Sequence, residues 1–201
     1  MRVPDLPDLA SFISGLADAN SARREAAAAE IFRLGQDLVR DTAEKWLADS
    51  QLAAMLEAGK SGFPETTVGV AVQPEMFDRI RLAHGSPQLA DVPPDQDAKE
   101  FELHLSGDVR LDVLTTKQPG GGGAIARYLQ RFGEGIQQIE LLARNVDEAT
   151  RILREKFSLE PVYPQTRAGA DGTRVNFFLV PASQGKKVLV ELVEAASPQK
   201  T

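Results

Sequence analysis

Ile136-Gln-Gln-Ile-Glu-Leu-Leu142 alternates Ile139 and Leu141 with Gln138 and Glu140, the period of a half-buried strand. Directly behind it, Asn145 and Glu148 have the spacing of a helix-starting box, and Ala149, Ile152, Leu153 and Phe157 fall on one helical face. Val162-Tyr163 then reads as a short strand. Arg174 to Val180 and Lys187 to Val193 read as a strand pair joined by Pro181 to Lys186. The stretch is therefore a strand, a helix and three strands.

Working outward, the same order recurs upstream. Val68, Val70 and Val72 alternate with Thr67, Gly69 and Ala71. Pro74 opens a helix with Phe77 and Ile80 inward, and Gly85 can close it. Glu100 to Leu105 and Val109 to Thr115 form a hairpin around Ser106-Gly107-Asp108. The recurrence is an internal duplication. It defines an α+β fold in which two βαβββ units, residues 66–116 and 135–194, form a curved mixed sheet around a polar cleft. Between the units, Gly120 to Gly123 is a joint before a short helix, Ala124 to Phe132. Four glycines before a helix suggest a phosphate loop, but the Lys-Ser/Thr of that motif is missing and no buried strand leads in, so the linker reading holds.

Residues 1–62 show no strand pattern and are expected to be a helical extension of a main domain spanning 63–201. Asp8 can cap a helix through Leu16, and Asn20 or Ser21 a longer one with Ile31, Leu34 and Leu38 on one face. Gly35 is expected to break or bend that helix, with a further one over Thr42 to Leu56. Ile31, Leu34, Leu38, Trp46, Leu47, Leu52 and Leu56 are too apolar for a solvated tail, so the segment is expected to dock on the main domain or on a second copy of the chain.

Composition narrows the function. The net charge of -6 over 201 residues argues against a nucleic-acid partner, which needs a basic face. No apolar run is long enough for a bilayer and the start lacks a signal peptide's apolar core, so the expectation is a cytoplasmic protein without a membrane partner. Absence of cysteine excludes disulfide and thiolate chemistry.

If branched apolar residues pack on the helices, the opposite strand face looks into the cleft. That face carries Thr67, Glu102, His104, Arg110, Asp112, Gln138, Glu140, Leu189 and Glu191. Asn176 and Phe178 are assigned to it too, although Val175, Phe177 and Leu179 leave that strand's facing open. Crowded carboxylates repel and need compensation by a cation, by Arg110 and His104, or by water. Alternating polar residues on a strand usually mean solvent alone.

Ala124-Ile-Ala-Arg-Tyr-Leu-Gln-Arg-Phe-Gly-Glu-Gly-Ile-Gln-Gln-Ile139, Asn145-Val-Asp-Glu-Ala149, Gly172-Thr-Arg-Val-Asn-Phe177 and Val188-Leu-Val-Glu-Leu-Val-Glu194 resemble methylmalonyl-CoA epimerase. That resemblance points to the vicinal-oxygen-chelate superfamily, which includes glyoxalase I. It is specific over Gly123 to Glu194, weaker over Thr66 to Thr116, and does not cover residues 1–60. It implies a divalent metal held by the first and last strand of each unit, here Thr67, Asp112, Gln138 and Glu191, with the metal stabilising an enolate-like intermediate while carboxylates move the proton. The chain departs from the pattern: Thr67 stands where His is usual, Gln137-Gln138 where His-His is usual, and Asp112 where Glu or Gln is usual, while Glu191 is typical. Oxygen donors of this kind favour Mg²⁺ or Mn²⁺ over Zn²⁺ or Ni²⁺. Loss of tight metal binding is the leading expectation.

The reading is thus a relative of methylmalonyl-CoA epimerase with a degenerate metal site that keeps a small-molecule cleft. One alternative is a working metal-dependent isomerase (epimerase) or lyase on a carbonyl or CoA-thioester substrate, with Glu191 and Asp112 on the metal and Glu102, Glu140 or His104 carrying protons. Another is an interaction module led by the N-terminal helices, compatible with a homodimer.

Overall fold

The computed structural model describes residues 9–60, 62–182 and 187–196. Asp8 and residues 183–186 of the expected β-connection lie outside them. The chain divides into two compact units. One combines the residues up to Gln36 with Thr67–Gln137, and the other combines Asp37–Thr66 with the residues from Gln138 onward. The helical N-terminal segment is thus shared between them. No helix among the described residues is long and apolar enough to cross a membrane.

The first unit contains α1 (Leu9–Gly15), the opening turns of α2 (Ser21–Leu47), β1 (Thr66–Ala71), α4 (Pro74–Ala83), β2 (Ala98–His104), β3 (Arg110–Thr116) and α5 (Ala124–Phe132). Its strands run in the order β2-β3-β1, with β1 parallel and β2 antiparallel to β3. Pro74 sits in the first turn of α4, and Glu134 accepts a hydrogen bond from Gln73 N at 2.9 Å, satisfying a helix-end donor. Phe77 and Ile80 are buried, and the Phe77 ring meets Phe101 of β2 edge-on at 4.9 Å. Phe101 therefore faces the helix, and its neighbours Glu102 and Glu100 face the other way. The strand that would complete this copy is reduced: the 87–93 segment makes one ladder-like bond, Ala90 N to Glu100 O, at 3.0 Å.

The second unit contains the rest of α2, α3 (Ser50–Met55), most of β4 (Gly135–Leu142), α6 (Val146–Phe157), β5 (Arg167–Ala168), β6 (Arg174–Pro181) and β7 (Lys187–Glu194), with strand order β4-β7-β6-β5. Asn145 caps α6 by accepting from Glu148 N at 3.0 Å, and Val146, Ala149, Ile152 and Leu153 form its buried face, as the spacing anticipates. Within this unit residues 37–66 are docked. Thr42 Oγ1 donates to Pro181 O at 3.1 Å, Lys156 Nζ meets Asp49 Oδ2 at 2.6 Å, and Glu57 N donates to Leu142 O at 2.9 Å. Asp49 also caps α3, and the Lys156 ammonium, with the capping N–H groups, holds its carboxyl below the usual range.

Three local expectations are corrected. Gly35 does not break the N-terminal helix into two elements: α2 runs unbroken for 27 residues, because Gly35 lies on its buried stripe with Ile31 and Val39, where packing outweighs a cost of about 1 kcal/mol in propensity. The break comes at Ala48-Asp49, where the Asp49 side chain starts α3 instead. The short strand of the second copy is Arg167–Ala168, and Val162 contributes one bond, to Phe177 O at 2.7 Å. Finally, Asn176 and Phe178 face α6. They pair in register with Leu192 and Val190, all are fully buried, and Phe177 and Leu179 take the opposite face with Glu191 and Leu189. Both faces of Val175–Val180 are apolar, so alternation carried no sign there.

Candidate functional site

In the first unit the parallel register sets Gly69 beside Asp112, and the antiparallel register sets Asp112 beside Glu102. Cross-strand partners share a face, so Gly69, Asp112 and Glu102 form one row, and Arg110 and His104 form the next with Thr67 on the adjacent strand. Their settings differ. Asp112 is buried at 5% exposure, in the middle of the three strands. Glu102 and His104 lie on the outer strand, both exposed, and the His104 ring Nε2 and Glu102 Oε2 are 2.6 Å apart. An exposed pair of this kind is a weak, water-screened interaction. Glu102 and His104, candidates for proton transfer, are thus brought together with each other and share a face with Asp112 and Thr67.

The second unit holds Gln138, Glu140 and Glu191 as a tight cluster. Glu140 stands beside Glu191 across the parallel β4–β7 pair. Gln138, two residues earlier on β4, presents its amide to the same place. Gln138 Nε2 donates to Glu191 Oε2 at 2.6 Å and to Glu140 Oε1 at 3.0 Å. Gln138 and Glu191 are buried at 7% and 8% exposure, while Glu140 is half-buried. Ionised carboxylates only accept hydrogen bonds, so the amide end between them is the donating nitrogen. One neutral NH₂ group therefore bridges two acidic side chains. Phe177 completes the row opposite Glu191, an apolar wall on a strand whose facing alternation left open.

The other histidine, His84, sits at the end of α4, and its Nε2 lies 3.0 Å from Leu16 O, so it fastens the α1–α2 turn within the first unit. Burial lowers its pKa. The glycine run before α5 wraps a side chain of its own unit. A Cβ at Gly123 would lie 2.8 Å from Asp97 Oδ2, so the run serves packing.

These elements make the chain a glyoxalase-like α+β protein, each unit combining a parallel strand pair with antiparallel partners under helices. Among solved structures it resembles methylmalonyl-CoA epimerase. The enzyme from Mycobacterium tuberculosis is 28% identical over 65% of this chain and 87% of its own, with a TM-score of 0.53. A hypothetical protein from Bacillus halodurans shares the fold at 24% identity, 67% and 96% coverage and a TM-score of 0.54. A variant of the Streptomyces coelicolor epimerase, solved with 2-nitronate-propionyl-CoA, does so at 23% identity, 65% and 96% coverage and a TM-score of 0.52. No family model matches the chain, and no curated protein matches it by sequence.

Proposed function

We propose that this is a glyoxalase-fold relative of methylmalonyl-CoA epimerase whose metal site is degenerate, and that it binds a small carbonyl compound on the strand face bearing Gln138, Glu140 and Glu191. The observation that carries this reading is the Gln138 amide. Gln serves as a metal ligand through its oxygen, yet here the nitrogen lies 2.6 Å from Glu191 and 3.0 Å from Glu140. The amide thus donates to the Glu191 carboxyl that would hold the metal. Using Gln138 as a ligand would require turning the amide over and giving up both bonds. The donor chemistry points the same way. Thr67, Asp112, Gln138 and Glu191 offer a hydroxyl, an amide and two carboxylates without imidazole, a poor set for a tightly held transition metal.

The ligand class rests on likeness. A Streptomyces coelicolor epimerase variant is solved with 2-nitronate-propionyl-CoA and a methylmalonyl-CoA epimerase with methylmalonyl-CoA and ammonium, which supports an acyl thioester as the first probe for this chain. The test is metal analysis after dialysis, followed by titration with propionyl-CoA in chelator. Sub-stoichiometric metal with saturable, chelator-insensitive binding is expected. Stoichiometric Mn, Co, Ni or Zn that disappears in an Asp112→Ala/Glu191→Ala variant would overturn the degenerate site. Absence of thioester binding, with or without added Mn²⁺, would overturn the ligand class. Metal-dependent exchange of the methylmalonyl-CoA α-proton into D₂O would establish the epimerase alternative instead.

A further inference from the structure

In the second unit the strand face that carries Gln138, Glu140 and Glu191 does not stay polar. The registers place Gln138, Leu189 and Leu179 in one row and Glu140, Glu191 and Phe177 in the next. Outside β6, a bridge sets Pro161 beside Phe178 on the helix side. Val162, whose N–H donates to Phe177 O at 2.7 Å, therefore falls beside Phe177 on the face of Glu191. Tyr163 meets the Phe177 ring edge-on at 5.9 Å, and the Arg167 guanidinium lies 4.4 Å from the Tyr163 ring centre. The face is thus polar at β4, mixed on β7 and apolar from Leu179 outward, until it ends at Arg167.

This apolar strip is open. Among the described residues four large apolar side chains are exposed, and two of them, Leu179 at 50% and Val162 at 46%, lie here, with Phe177 and Leu189 half-buried beside them. A lone exposed leucine needs no explanation, whereas a contiguous apolar strip beside polar groups marks an interaction site. Four side chains are too few for a protein partner, since a stable pair uses about 20–30 residues a side. The strip runs from β7 across β6 to Val162, two strand spacings or about 10 Å, which is the reach of a mid-length hydrocarbon chain.

From this we infer that the strip holds the hydrocarbon tail of an acyl thioester, so that the chain takes straight, mid-length acyl groups in preference to short or carboxylated ones. This rests on the carbonyl-binding reading given above and names the class of acyl group. The tail lies along Leu189, Leu179, Phe177 and Val162, and its head stays on the side of Glu191. Each methylene covers apolar surface that is otherwise wet. A terminal carboxylate on the same path would lose its hydration against hydrocarbon, a cost that the strip does not repay.

The experiment is isothermal titration calorimetry of the full chain, in chelator, with propionyl-, hexanoyl- and adipoyl-CoA. Complete burial of a methylene is worth about fourfold in affinity, so three methylenes covered on one side should make hexanoyl-CoA bind about tenfold tighter than propionyl-CoA. Adipoyl-CoA, of the same length with a terminal carboxylate, should lose that gain. Leu179→Gln should collapse the hexanoyl-to-propionyl ratio. Val162→Thr should lower it too, and decides the matter if the Leu179 variant does not fold. Leu82→Gln, which removes an exposed leucine of α4, should leave the ratio unchanged. Equal binding of the three thioesters, or a ratio that survives in the folded strip variants, would overturn this inference and leave the carbonyl-binding reading standing. Absence of all thioester binding would overturn both. A dimer that Leu179→Gln splits with the ratio unchanged would assign the strip to a second copy of the chain instead.

Discussion

Replacing Gln138 by leucine tests directly whether the amide bridge stabilises the acidic cluster. The side chain is of similar size, so the change removes two hydrogen bonds and little volume. Hydrogen bonds to charged groups contribute about 1.5–3 kcal/mol each. The partners are unequal. Glu140 is half-buried and recovers water when the amide is lost, so its share is small. Glu191 is 8% exposed and loses a donor at 2.6 Å that water replaces poorly. The expected loss is therefore dominated by one bond, about 2–3 kcal/mol, partly offset by burying the leucine methyls. For a chain of this size that is a fall in Tm of about 5–10 °C. Urea unfolding followed by circular dichroism at neutral pH measures it. A double variant, Gln138→Leu/Glu191→Leu, should recover most of the loss, because the carboxyl that accepted from the amide is then gone. If Gln138→Leu alone costs less than about 0.5 kcal/mol, the value of an ordinary surface change, the amide is not compensating Glu191 and the bridging argument fails.

Asn145→Ala removes the side-chain acceptor of Glu148 N and should cost about 1 kcal/mol, read from chemical denaturation, whereas Asn145→Asp should be nearly neutral. Phe178→Ala empties a fully buried site beneath α6 and should cost about 3–5 kcal/mol; a smaller cost would mean that α6 collapses onto the gap. His84 has a lowered pKa in the folded chain, so below the unfolded value of about 6.5 the unfolded state takes up its proton first. Stability present above that pH is therefore lost as the pH falls, and His84→Gln should flatten the Tm profile between about pH 7 and 5.5. An unchanged profile would show that His84 does not carry this dependence.

How far the sequence could be read depends on how local each cause was. The 3.6 and 2.0 periods, the Asn145–Glu148 start of α6, the Pro74 start of α4 and the Ser106–Asp108 turn are neighbour effects, and they located the strands and helices of both copies to within a few residues, except the short strand that falls at Arg167–Ala168 and not at Val162-Tyr163. The same alternation put Gln138, Glu140 and Glu191 on one face, since β4 and β7 each have one apolar and one polar side. Three things were beyond it. The side of β6 that holds Asn176 was decided by packing under α6, because both its faces are apolar and period two carries no sign. The continuity of α2 through Gly35 was decided by burial of that stripe, which outweighs a glycine's local preference. The pairing of one amide with two carboxylates came from the β4–β7 register, which brings Gln138 and Glu191 together across a separation that no local signal encodes.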